Sequence, residues 1–117
     1  MDRSGIMLYR RDGSRVPYTS EAYVELFTAD RRVALSWLPG WVHVSTVHLP
    51  TDHNFALGGP PLIFETMVFG GPADGYVMRY ATESAALRGH RRAVRLLRDF
   101  RKRSRRPLIH NGGRPRR

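Results

Sequence analysis

Asp52, His53, Glu65 and His90 are the residues of this chain whose side chains could hold a divalent metal or pass a proton. Carboxylates and imidazoles are ordinary ligands for zinc and related ions, and a histidine set in an apolar stripe is a group whose proton affinity burial perturbs. The spacing carries no such signature. Asp52 and His53 are adjacent, there is no His-Glu-x-x-His, and the absence of cysteine removes thiolate ligation and disulfides. We therefore expect no metal and no cofactor, and read these groups as structural. His90 is expected to be a hydrogen-bonded core residue, and Asp52-His53 to fix their loop by side-chain to backbone bonds. Glu65 sits inside "PPLIFETMVFGG", in the middle of an apolar strand pattern. An unpaired buried carboxylate is costly, so exposure, or a cross-strand partner such as Arg79 or Arg32, is the expected solution. Ser36 and Ser45 have no nucleophile-elbow context, and Gly58-Gly59 and Gly70-Gly71 lack the spacing and lysine of a phosphate loop.

The second chemical feature is charge. The 117 residues carry a net +10, divided unevenly: residues 1–87 hold seven arginines and nine acids, while residues 88–117 hold thirteen basic residues and a single acid, Asp99. Lys102 is the one lysine, and a GC-rich codon supply explains that preference, so the position of the charge says more than its type. Arg88, Arg91, Arg95, Arg98 and Lys102 fall on one side of a helical wheel, followed by Arg103, Arg105 and Arg106. Such a row makes salt-dependent contact with the phosphates of nucleic acid, whereas the bland alternative is a solvated helix face with a sticky tail. No helix-turn-helix, zinc-finger or RNP-type aromatic pattern accompanies it, so any such contact is to the backbone.

These groups must be held by one modest core, since the length suits a single domain. Ile6 to Tyr9 and Val16 to Tyr18 flank Asp12-Gly13 and read as a short hairpin, with Pro17 confining the second arm to an edge. Thr19-Ser20-Glu21 starts a helix with Ala22, Tyr23, Leu26 and Phe27 as its stripe, ending near Asp30. From Arg32 to Leu49 the alternation predicts two strands broken by Pro39-Gly40, with Val33, Leu35 and Trp37 sharing a face, and a loop longer than two residues. Leu62 to Phe69 and Tyr76 to Tyr80 are two further strands across a long turn. Thr82 caps a second helix from Glu83 to about Arg101, whose docking stripe includes Ala86, His90, Ala93, Val94 and Leu97. The expected fold is α+β: an antiparallel sheet of about four strands, an N-terminal hairpin and two helices on one face, as a single domain over residues 1–100 with a basic, disordered tail over 101–117. No apolar stretch approaches the length of a membrane span, and the N-terminus lacks a hydrophobic signal core, which points to a cytoplasmic protein.

The segments "VSTVHLPTDHNFALGGPPLIFETMVFGG" and "RYATESAALRGH" resemble a family of small uncharacterised proteins of actinobacteriophages and actinobacterial prophages. The matching positions include Asp52, His53, Phe55, Gly59, Pro60, Pro61, Phe64, Glu65, Thr66, Met67, Arg79, Tyr80, Thr82 and His90, and the likeness covers most of residues 6 to 90. The chain departs from that family at Pro50 and in its arginine-rich extension. The resemblance implies a phage-related origin in a bacterial host and one shared framework for Asp52, His53, Glu65 and His90; it implies no activity.

Together these readings lead us to expect a phage-type accessory protein that acts by binding a host macromolecule, its basic helix and tail giving non-specific nucleic-acid affinity. The alternative is an inhibitor of a host protein that uses loops 50–61 and 70–75 as its interface. A metal-dependent enzyme built on Asp52, His53, Glu65 and His90 is the third reading.

Overall fold

In the computed structural model, which describes residues 6–56 and 58–104, the N-terminal hairpin pairs β1 (Met7–Tyr9) with β2 (Arg15–Pro17). Pro17 lies in a two-stranded ribbon, where its missing N–H breaks no further ladder. Helix α1 (Ser20–Thr28) begins where the Thr19 hydroxyl accepts from the Ala22 N–H. A meander of β3 (Arg32–Leu38), β4 (Val42–His48), β5 (Phe64–Phe69) and β6 (Val77–Tyr80) then forms a four-stranded antiparallel sheet in that order. Helix α2 (Glu83–Ser104), capped by Thr82, packs across all four strands. This is the expected α+β architecture. Among the described residues no helix is long and apolar enough to cross a membrane.

Period-two alternation decides which side of the sheet the helix covers. Val42, Val44, Thr46 and His48 of β4 and Phe64, Thr66 and Val68 of β5 are buried under α2. The core has two parts: Leu38, Val42, Val44 and Val68 around Val94, and Ile63 and Phe64 around Ala86. On the opposite face Glu65 stands directly across from Arg79 and their side chains pair at 3.0 Å, the cross-strand solution expected for that carboxylate. Farther along that face Trp37, His43 and Phe69 stack in a row, with ring centroids 4.3 and 4.7 Å apart.

Three expectations need correction. A register shift between Arg32 and Ala34 turns Val33 inward against Ile63, Phe64 and Ala86, so it does not share a face with Trp37. Helix α1 does not join α2 on the sheet: it has no fully buried residue, and its aromatics Tyr23 and Phe27 stack on each other. Helix α2 runs to Ser104, so residues 101–104, placed in the tail, belong to the helix; the rest of that tail lies outside the described residues.

Two local devices hold α2 in place. Arg11 of the hairpin grips Glu83 in the first turn through two bonds of 3.0 Å. At the other end Arg101 donates to the Pro39 carbonyl at 3.1 Å. Pro39 belongs to a three-residue connection between β3 and β4, in which Gly40 takes φ 85° and Trp41 φ 63°. A left-handed tryptophan is unfavourable by about 1–2 kcal/mol, and here the ring is almost wholly exposed.

Candidate functional site

The helix that closes the core also carries the charge. Ala86, His90 and Val94 recur at i, i+4 and i+8 and face the sheet, so Arg91, Arg92, Arg95, Arg98 and Lys102 are turned outward and exposed. The ion pairs among the described residues are Arg11–Glu83 and Glu65–Arg79; none of these α2 cations takes part in one. Arg88 donates to Ser84 one turn back, and Arg103 is exposed near the helix end. Arg105 and Arg106 lie outside the described residues. Arg92, which the helical wheel did not single out, points along the opposite flank of α2 towards Tyr80 and Leu96.

Arg91, Arg95, Arg98 and Lys102 line the helix wall of an open cleft of about 730 Å³, which extends towards β3 and is floored by Ser36 and His90. The cleft floor connects to a buried polar chain. His90 Nε2 lies 2.8 Å from Ser36 Oγ, His90 Nδ1 lies 2.8 Å from Thr46 Oγ1, and Thr46 Oγ1 lies 2.6 Å from Thr66 Oγ1. Burial, aided by the nearby Arg91 charge, lowers the His90 pKa below its ordinary 6.5, so the ring is neutral at neutral pH. His90 is thus a satisfied core histidine, as its place in the apolar stripe suggested. Ser36 was the missed partner. Its signal was the alternation that sets Ser36, Thr46 and Thr66 on the same side as Leu38, Val44 and Phe64, leaving hydroxyls of three neighbouring strands beneath one helical histidine.

The four residues considered as a metal or acid/base site do not converge. Glu65 lies on the uncovered face with Arg79, and His90 lies on the helix-covered face. Asp52 accepts from the Asn54 and Leu62 backbone N–H groups, and His53 Nδ1 lies 2.9 Å from the Thr51 carbonyl, so both brace their own loop. Among the described residues no group of three or more histidine or acidic side chains is placed to hold a metal ion. Asn54 completes the brace by donating to the Gly58 and Pro60 carbonyls, and the loop presents Phe55 at 82% exposure. In an antiparallel meander the β4–β5 and β5–β6 connections lie at opposite ends of β5. Loops 50–61 and 70–75 therefore form two surfaces and not one. No protein-family model, no curated protein and no solved structure matches the chain.

Proposed function

We propose that the protein binds nucleic acid through the exposed side of α2, by backbone contact without sequence readout, as a phage-type accessory protein in the cytoplasm of a bacterial host. The observation that carries this reading is that Arg91, Arg92, Arg95, Arg98 and Lys102 are exposed and have no acidic partner among the described residues. Guanidinium groups already held in ion pairs would gain little from a phosphate; unpaired ones displace counterions from it. From Arg91 to Lys102 the helix rises about 16 Å, the span of about five phosphates along one strand.

The test is duplex DNA mobility at two salt concentrations. Binding is expected at low salt and should weaken steeply as salt rises. The combined Arg91→Gln, Arg95→Gln and Arg98→Gln variant should lower the slope of log K against log salt by about 3. Salt-insensitive binding, or none at low salt, removes the reading. A second reading, inhibition of a host protein, is favoured by one observation: the exposed Phe55 on a loop cross-braced by Asp52 and Asn54. Partner capture that survives the triple variant and is lost in Phe55→Ser would select it.

A further inference from the structure

The cleft between α2 and the β3 edge of the sheet combines features that a merely solvated helix face does not require. Its wall bears five cations, Arg91, Arg95, Arg98, Arg101 and Lys102, and the single acid Asp99, and its floor bears a hydroxyl backed by a buried imidazole. The floor also has a direction. A neutral histidine has one N–H, and each hydroxyl has one proton to donate. In the Nδ1–H tautomer, His90 donates to Thr46 and accepts the Ser36 proton at Nε2, so Ser36 offers the cleft only lone pairs. In the Nε2–H tautomer the chain runs the other way. Thr66 donates to Thr46, Thr46 donates to His90 Nδ1, His90 Nε2–H donates to Ser36 Oγ, and the Ser36 O–H turns to the cleft. Only the second arrangement presents a donor to an anion.

We propose that this cleft binds a phosphate group, with the Ser36 hydroxyl donating to a phosphate oxygen, Arg91, Arg95 and Arg98 supplying the charge, and His90, Thr46 and Thr66 positioning the serine proton. The phosphate comes either from a nucleic-acid strand or from a phosphomonoester such as a mononucleotide; the first source rests on the reading of α2 given above, the second does not. Guanidinium and hydroxyl donors together suit phosphate, since its oxygens accept both charge-assisted and neutral bonds. His90 and the threonines act through Ser36 and touch no ligand. The inference therefore concerns the ring tautomer as well as affinity.

The experiment uses the full-length ¹⁵N-labelled protein and reads the His90 ring nitrogens during titration with inorganic phosphate, AMP and a short DNA duplex, each matched by sodium chloride of equal ionic strength. The expected result is a phosphate-bound state with the Nε2–H tautomer. Ser36→Ala, which changes no charge, should bind AMP about tenfold more weakly, while Ser36→Thr, which keeps the hydroxyl, should bind as wild type does. Arg95→Gln, at an exposed position, should weaken AMP and duplex binding alike and keeps the test open if Ser36→Ala fails to fold. The inference is overturned if chloride alone reproduces the response, if Ser36→Ala binds AMP as wild type does, or if the bound state carries Nδ1–H. Response to phosphate and AMP with no duplex binding at low salt supports the cleft and sinks the nucleic-acid reading. Duplex binding with a silent His90 and an unaffected Ser36→Ala does the reverse.

Discussion

His90 leaves water when α2 closes on the sheet and His48 where the end of β4 meets the hairpin beside Tyr9, and desolvation is the main cause that lowers both pKa values from 6.5. For His48 a backbone hydrogen bond with Tyr9 opposes the shift, while the charges of Arg11 and Arg31 reinforce it. A lowered histidine pKa means that the unfolded chain takes up the proton first as the solution is acidified. The stability from the two neutral rings is complete above about pH 7 and is lost as pH falls through 6.5 towards the folded values, at up to about 1.4 kcal/mol per pH unit for each ring. Asp12 has the same sense, in a lower pH window. Its pKa is lowered from 3.8, chiefly by its hydrogen bonds to Ser14, so its contribution disappears only in stronger acid. Urea midpoints measured between pH 7.5 and 5.0 should therefore fall, and His90→Gln should flatten the profile. A midpoint that rises on acidification would mean that the rings gain protons on folding. Residue-level chemistry was legible where strand alternation governs it, as with Glu65 opposite Arg79. It was not legible for the His90 to Ser36 contact, which needs the helix laid across the sheet before the two groups meet.

Gly89 shows how two elements constrain each other. It lies inside α2, where glycine is less favourable than alanine by about 1 kcal/mol, yet no turn or cap calls for it. The reason is the ring of Tyr80 at the end of β6, which lies so close to the helix backbone that an added Cβ would occupy the ring's space. Propensity favours Gly89→Ala and packing opposes it, and the packing cost wins because tyrosine carbons and hydroxyl, not a flexible chain end, receive the methyl group. We expect a net loss of about 1–3 kcal/mol in chemical denaturation. In a Tyr80→Leu background the same alanine should become neutral or stabilising. Equal losses in both backgrounds would place the strain elsewhere. The extent of α2, its Thr82 cap and the order of the strands could be read from local pattern. The inward turn of Val33 could not, because a bulge breaks the alternation on which that reading relied. The Arg11 grip on Glu83 spans 72 positions of sequence and leaves no local trace. Helix α1 has a recognisable stripe, but a stripe does not say whether a neighbour exists to bury it.

At the scale of the whole molecule, the uneven distribution of charge sets a stability cost that binding can relieve. Arg88–Arg92, Arg91–Arg95 and Arg98–Lys102 are like-charge neighbours at i, i+4, each unfavourable by about 0.2–0.5 kcal/mol. Asp99 offsets part of this through its proximity to Arg95 and Arg103, and the basic last turn suits the negative end of the helix dipole. With a net +10 on the chain and no ion pair to the outward cations of α2 among the described residues, repulsion outweighs these gains. Salt screens exposed charges over about 10 Å at 0.1 M and about 3 Å at 1 M, so added salt should stabilise the free protein. The melting temperature is expected to rise by a few degrees between 0.05 and 0.5 M sodium chloride, while affinity for DNA falls over the same range. The opposite signs come from one cause: counterions and phosphates compete for the same unpaired cations. A melting temperature that falls with salt would show those cations held in stabilising ion pairs, and the binding face would then have no free charge to offer.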